Sequence, residues 1–195
     1  MNAWRDMPTL TGAHVTLRPM TREDGAAIVA AGEGLDDLFF TAVPRASTID
    51  RWIDKARAEA AAGRAMPFVV LAGDRIVGAT RLMRMNAEHR RVEIGTTFYA
   101  RDVQRTGVNT ETKLLLLRHA FDVLACHVVQ IRTDWFNKRS QAAIERLGAK
   151  RDGVLRAHQT MDGRVRDIVV YSIVAGEWPG VERNLRWLLD RGDRR

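Results

Sequence analysis

Gln104, Arg105, Gly107, Asn109 and Thr110 fall between a stretch that alternates apolar with polar and a stretch with helical spacing. Val92, Ile94 and Phe98 mark one apolar face, the period-two signature of a strand. Leu114, Leu117, Phe121 and Leu124 then recur at intervals of three and four, with Leu115 and Ala120 widening the stripe, which predicts a helix over residues 107–124. A strand that runs through a short basic turn into a helix aims unpaired N–H groups and a partial positive charge at one point. Gly107 removes side-chain bulk there, and a phosphate-bearing ligand is the chemistry that suits it. Two standard nucleotide cradles are absent. No Gly-Lys-Ser/Thr follows the glycine, and Lys113 sits too far into the helix for a P-loop; Gly32-Glu33-Gly34 lacks the third glycine of a dinucleotide fingerprint.

A second segment has the same layout. Residues 128–134 (VVQIRTD) are β-branched and alternating, which predicts a strand. The string from Trp135 to Ser140 leads into residues 141–147, where Ala143, Ile144 and Leu147 form an apolar face. Asn137 suits the N-cap and Gly148 a C-terminal stop. Taken alone, Asn137 and Ser140 read equally well as helix caps, and strand–turn–helix units with a turn glycine are common in α/β proteins. Taken together, the two segments set an order: strand, Gln-x-x-Gly-x-Asn, helix, strand, Asn-x-x-Ser, helix, Leu-Gly-Ala.

In that order the chain resembles the GNAT superfamily of N-acetyltransferases. The family's acetyl-CoA signature, Gln/Arg-x-x-Gly-x-Gly/Ala, is matched by Gln104 and Gly107, with Asn109 standing where the pattern has a small residue. The second signature is matched by Asn137, Ser140, Leu147, Gly148 and Ala149. Arg156, Asp162-Gly163, Arg166-Asp167, Tyr171-Ser172 and Glu177-Trp178-Pro179 resemble the branch that contains ribosomal-protein alanine N-acetyltransferases. The likeness runs from about residue 10 to residue 187. The Asn109 side chain would narrow the pyrophosphate cradle, although the GVNTE string itself resembles a variant used within this branch.

The resemblance implies an α/β fold of mixed α+β type, with about seven mostly antiparallel strands splayed at the acetyl-CoA site and flanked by helices. The sheet opens between the strand ending near Tyr99 and the one beginning near Val128. Acetyl-CoA, the implied co-substrate, lays its pantetheine arm against the backbone at Phe98, Tyr99 and Ala100. Its pyrophosphate meets the turn of Gln104, Arg105, Thr106, Gly107, Val108, Asn109 and Thr110, and Asn137 orients the pantetheine amides. The implied reaction moves an acetyl group to a primary amine by direct attack in a ternary complex, with a protein N-terminal α-amine suggested by the branch and a small-molecule amine or antibiotic as the alternative. The amine must be neutral to attack; reference values are about 10.4 for lysine and about 7.7–8.0 for an N-terminal amine. Glu93, on the strand that leads into the cofactor turn, is the candidate base, with an ion-paired or solvent-facing glutamate as the plain reading. Ser140 is the candidate acid toward the sulfur, and Tyr171 the rival, against its plain reading as a core tyrosine. Asp134 either positions the amine or pairs with a neighbouring arginine.

Composition narrows the alternatives. With 195 residues, 46% hydrophobic and 28% charged, the chain has the makeup of a soluble globular domain, read as a single domain over residues 1–195 with a core at 10–187 and a short basic tail. No apolar run approaches a membrane span, no signal peptide layout is present, and one cysteine, Cys126, suits a reducing cytoplasm as a buried filler. The net charge of +7 gathers at residues 101–105, 138–139, 150–151 and 191–195. The first two clusters flank the proposed ligand motifs and favour a polyanionic cofactor over nucleic acid, for which no motif is present. The five histidines have no metal-ligand spacing, so no metal is expected. No Gly-x-Ser-x-Gly elbow points to a serine hydrolase. A non-catalytic CoA-binding regulatory module and a basic RNA-associated protein are the competing classes. Oligomeric state stays open, with a homodimer mildly favoured.

The positioning elements read as follows. Residues 14–19 make a first strand, and Thr21 with Asp24 starts a helix over 22–31. Residues 35–44 are helix or loop, and Ser47 or Thr48 opens a helix stopped by Gly63. Strands at 67–72, 76–85 and 88–99 form a meander, and 153–159 with 164–174 form a hairpin around Asp162-Gly163. A last helix follows Pro179, burying Leu185, Leu188 and Trp187. Loops 35–48 and 85–91 face the acceptor, and of the five tryptophans Trp135 is the one expected to touch it.

Overall fold

The computed structural model describes residues 2–35, 39–40 and 43–192. Two short strands, β1 (Leu10–Thr11) and β2 (Thr16–Pro19), precede helices α1 (Gly25–Ala31) and α2 (Ile49–Ala61). The meander β3 (Met66–Ala72), β4 (Arg75–Asn86) and β5 (Arg91–Tyr99) leads through a 3-10 turn, Arg101–Val103, into helix α3 (Val108–Arg118). Strand β6 (Val128–Asp134), helix α4 (Lys138–Arg146), the hairpin β7 (Lys150–Met161) and β8 (Arg164–Val174), and helix α5 (Trp178–Gly192) complete it. The strands form one sheet in the order β1-β2-β3-β4-β5-β6-β8-β7. Every pairing is antiparallel except β5 with β6. The eighth strand, beyond the seven expected, is β1, which pairs Leu10 with Leu17 and Thr11 with Thr16.

Turn chemistry closes the hairpins where the sequence indicates. Gly73 (φ +59°) turns β3 into β4, and Asp162 with Gly163 (φ +49° and +77°) turns β7 into β8. Asp24 accepts the Thr21 N–H at 2.8 Å and is held by Arg18 through two hydrogen bonds at 2.6 and 2.8 Å. The helices cover both faces of the sheet. α1 and α2 bury Ile28, Ile49 and Ile53 on one side, while α3, α4 and α5 bury Leu116, Leu117, Leu147 and Leu185 on the other. Helix α3 buries all four leucines from Leu114 to Leu117, so it is a central helix, apolar nearly all round below its first turn. Each such leucine contributes about 1.5–3 kcal/mol of burial.

Glu111, in the first turn of α3, is buried and accepts the backbone N–H groups of Ala13, His14 and Val15 at 2.8, 2.7 and 2.7 Å. This single carboxylate ties the β1–β2 turn to the start of α3. The expected helix over 107–124 divides: its α-helical part ends at Arg118, and His119–Val123 finishes as a π turn in which the Leu124 N–H bonds the His119 carbonyl at 3.0 Å. Trp187 is exposed rather than buried and Leu188 is half-buried, because Trp178, Val181 and Leu185 are the residues of this helix that face the core directly. Phe98 departs from the apolar face assigned to it. Val92 and Ile94 pack on the α3 side, whereas Phe98 packs with α1 and α2. The cause is a bulge in β5.

Candidate active site

Arg81 of β4 pairs with Gly95 of β5 and Ala79 with Phe98, so Thr96 and Thr97 together oppose Thr80. Thr96 adopts φ +52°, a region that costs a β-branched residue about 1–2 kcal/mol. The slip moves Thr97 and Tyr99 to the α3 side and Phe98 to the other. Hydrogen bonds hold the bulge: Thr97 Oγ1 lies 2.8 Å from Thr80 Oγ1, and Lys113 Nζ donates to Thr97 Oγ1 at 3.1 Å.

Beyond the bulge the sheet parts. β5 and β6 pair only over residues 91–94 and 128–131, while β6 stays paired with β8 through Asp134. The remainder of β5 and β6 therefore forms the two walls of an open wedge, a cleft of about 1460 Å³. The N-terminus of α3 stands at one end of it and the N-terminus of α4 at its side. Gly107, Asn109, Thr110, Asn137 and Ser140 all line the cleft, as do Phe98, Tyr99, Gln104, Arg105, Thr106 and Val108. Ala100 does not; it is buried against α1 and α2.

The turn is braced from within. Gln104 Nε2 donates to the Tyr99 carbonyl at 2.8 Å, and Arg139 of α4 donates to Gln104 Oε1 at 2.6 Å, linking the end of β5 to α4. Arg105 takes φ +67°, and Thr106 Oγ1 donates to the Val103 carbonyl at 2.6 Å. Arg146 of α4 donates to Thr110 Oγ1 at 3.0 Å. A Cβ built on Gly107 would lie 3.4 Å from Leu189 and 3.7 Å from His14, ordinary contacts, and the residue has helical φ and ψ. Nothing in the protein itself requires glycine there. Gly107 and the first helical turn after it line the cleft, which fits a diphosphate approaching the backbone N–H groups. Asn137 Oδ1 accepts the Ser140 N–H at 3.0 Å, so Asn137 caps α4 while both residues remain on the cleft wall.

At the apex, where β5 and β6 separate, Glu93 lines the cleft at 6% exposure. Burial pushes its carboxyl above the ordinary carboxylate range, opposed by the guanidiniums of Arg132 and Arg84, each with Nε 3.1 Å from Oε2. Asp134 closes the β6 wall. Burial works against its ionisation, but hydrogen bonds from Arg164 (2.6 Å), the Phe136 N–H (2.8 Å) and Arg166 (2.7 Å) outweigh it and hold the carboxyl below its usual range. Arg164 also lies over the rings of Phe39 and Phe136.

Tyr171 is set apart from these residues. It is fully buried on β8, outside the cleft lining, and its hydroxyl donates to Glu145 of α4 at 2.9 Å. Burial and that bond push it up to about 12. Trp135 also lies outside the lining, beneath Lys138 at 4.0 Å and Arg151 at 5.2 Å, whereas Trp187 is on the cleft wall. Of the two acceptor loops, Leu35 and Phe40 reach the cleft, residues 85–91 do not, and residues 36–38 and 41–42 lie outside those described. Cys126 is buried, and burial pushes its thiol up to about 12, which leaves it inert. Among the described residues, no group of three or more His, Cys, Asp or Glu is placed to hold a metal ion, and no helix is long and apolar enough to cross a membrane.

The parted sheet, the helix start at its mouth and the capped second helix define a class. Residues 14–150 match the model of the acetyltransferase (GNAT) domain, and the chain belongs to that family, which moves an acetyl group from acetyl-CoA to an amine. It is 30% identical over 105 residues to YdaF of Bacillus subtilis (strain 168), a protein assigned provisionally as a ribosomal N-acetyltransferase. That alignment spans 54% of this chain and 57% of YdaF. Among solved structures it is similar to a GCN5-related N-acetyltransferase from Brucella melitensis (26% identity, TM-score 0.84, covering 94% of this chain and 86% of that one). It is also similar to RimJ of Mycobacterium smegmatis in complex with CoA-disulfide (25% identity, TM-score 0.79, covering 95% and 96%).

Proposed function

We propose that the chain is a one-domain enzyme that acetylates a protein N-terminal α-amine by direct attack within a ternary complex. The observation that carries this reading is the wedge between β5 and β6, with Glu93 at its apex and the α3 N-terminus at its mouth. The bound coenzyme supplies an acetyl group activated as a thioester. Gly107 through Thr110 hold its diphosphate, and the edge of β5 at Phe98 and Tyr99, with Asn137, aligns its arm. Glu93, made more basic by burial, takes the proton the amine loses as the amide bond forms, directly or through a water. The Ser140 hydroxyl returns a proton to the sulfur as the C–S bond breaks. Tyr171 is less suited to that role, since its hydroxyl is committed to Glu145.

The provisional assignment of YdaF as a ribosomal N-acetyltransferase concerns that protein, and it supports a protein acceptor here only by kinship. The test is release of free CoA thiol with three acceptor sets: peptides with a free N-terminus, Nα-blocked peptides carrying lysine, and small amines. Turnover with the first set that falls in Glu93→Gln and Ser140→Ala supports the assignment. Equal turnover in both variants removes Glu93 and Ser140 as catalytic groups, and turnover confined to small amines removes the peptide acceptor.

A further inference from the structure

Lys113 is the one buried lysine among the described residues, at 5% exposure, and it lines the coenzyme cleft. It lies four residues after Asn109 and three after Thr110, hence on the same face of α3, about 6 Å further along the axis. Its Nζ donates to Thr97 Oγ1, itself bonded to Thr80 Oγ1, and among the described residues no carboxylate reaches it. A buried ammonium held only by hydroxyl groups is costly, and burial alone lowers Lys113 to about 7.

The charged and titratable neighbours are committed elsewhere. Tyr99, on β5, is pushed up by burial and stays neutral. Glu111 is spent on three backbone N–H groups of the β1–β2 turn. Arg146 of α4 bonds Thr110, and His14 lines the cleft on the far side of Gly107. Among the described residues no negative charge offsets the Lys113 amine, and a diphosphate seated on residues 107–110 would supply one a helical turn away.

We propose that Lys113 is a binding residue of the coenzyme cleft that enters the complex as a newly formed cation, so that coenzyme and proton bind together. The inference rests on the coenzyme reading of the site. It makes Lys113 a sensor of the diphosphate as well as a strut for the β5 bulge, since its hydrogen bond to Thr97 survives in either protonation state.

The test is calorimetric titration of acetyl-CoA, whose sulfur is capped, into the full chain at pH 8. Two buffers of different ionisation enthalpy are used, and pH 8 lies above the ordinary imidazole and phosphate ranges. The lysine is about one-tenth protonated before binding and nearly fully protonated after it, so the wild type takes up about 0.8 proton per site. Lys113→Arg, always charged, and Lys113→Met, never charged, bind with uptake near zero. Between pH 8 and 9 wild-type affinity weakens by up to about tenfold, while that of Lys113→Arg stays flat. Binding by the wild type without proton uptake, or equal uptake in Lys113→Arg, overturns the inference and leaves the coenzyme reading standing. No binding by the wild type overturns the coenzyme reading itself.

Discussion

Substituting Gly107 by alanine separates a glycine kept for the protein from one kept for a ligand. The added Cβ meets Leu189 at 3.4 Å and His14 at 3.7 Å, and φ −64° with ψ −17° suits any residue. Alanine is the poorer N-cap by roughly 0.5–1 kcal/mol, and its smaller unfolded-state entropy returns roughly 0.4–1 kcal/mol. The net change is about 0.5 kcal/mol or less, a melting shift of a few degrees at most. The contrast is Gly78, where a Cβ would lie 2.2 Å from the Phe98 carbonyl oxygen and force β4 away from β5. On the proposed reading, the diphosphate comes close to the backbone at Gly107, where an added methyl group would crowd it against the first-turn N–H groups. Losing one charge-assisted hydrogen bond of about 2 kcal/mol raises the dissociation constant for CoA about 30-fold. Thermal melting of the free protein and calorimetry with CoA, run on the same preparation, read the two quantities. A melting point that falls by more than about 10 °C would show that Gly107 serves packing, and unchanged CoA affinity would show that the diphosphate sits elsewhere.

Three further outcomes follow from the hydrogen-bond networks. Asp134→Asn leaves Arg164 and Arg166 beside a neutral partner and lowers stability by about 2–3 kcal/mol in denaturant titration, discounted for the partial exposure of Arg164. Because the Asp134 carboxyl is held below its unfolded value, its contribution is present above that value and is lost as pH falls through the folded one; acid titration of the variant therefore lacks this component. Glu111→Gln keeps the shape but weakens three charge-assisted bonds to the β1–β2 turn, costing about 2 kcal/mol, and hydrogen exchange at Ala13, His14 and Val15 rises first. Burial pushes the Glu93 carboxyl above the ordinary carboxylate range, so the acidic limb of kcat/KM is displaced upward from that of a free carboxylate; Glu93→Gln removes the limb and lowers the rate by about 10²–10⁴.

The half of the cleft lined by the two motifs is legible in the sequence because its residues are contiguous. Gln104 through Thr110 and Asn137 with Ser140 each span one turn, and local backbone geometry brings them to the cleft without reference to distant chain. The acceptor half was not. Asp134 meets Arg164 and Arg166 only because β6 pairs with β8 over thirty residues away, and sequence leaves that pairing open. The β5 bulge was missed for a related reason. Alternation through Val92, Ile94 and Phe98 looks unbroken, and only the register against β4 reveals the two residues opposing Thr80. The bulge turns Phe98 to the α1 and α2 face and presents Thr97 to Lys113. The distance of Lys113 from the glycine excludes a P-loop, but its i to i+4 spacing from Asn109 places it on the cleft face. Proximity to Asn137 points to Trp135 among the five tryptophans, but α5 folds back over the turn and brings Trp187, expected in the core, to the cleft instead.

The charge of the cleft bears on the kind of amine it can use. Seven arginines and Lys113 line it, against the two carboxylates Glu93 and Asp134. Such an excess disfavours an incoming ammonium and favours the neutral amine that attacks, by the same electrostatics that lower a lysine among like charges. An N-terminal amine, with a reference value of about 7.7–8.0, needs a shift of roughly one unit to be almost wholly neutral near pH 8; a lysine at about 10.4 needs more than three. A partly exposed cationic wall supplies the smaller shift readily and the larger one poorly, since solvent screens most of it. As the proposed base, Glu93 would then have only the last proton to remove, after attack has begun, a task within reach of a carboxylate whose basicity burial has raised. On the proposed reading, the arginines that hold Glu93 and Asp134 in place would thus also favour an α-amine over a lysine.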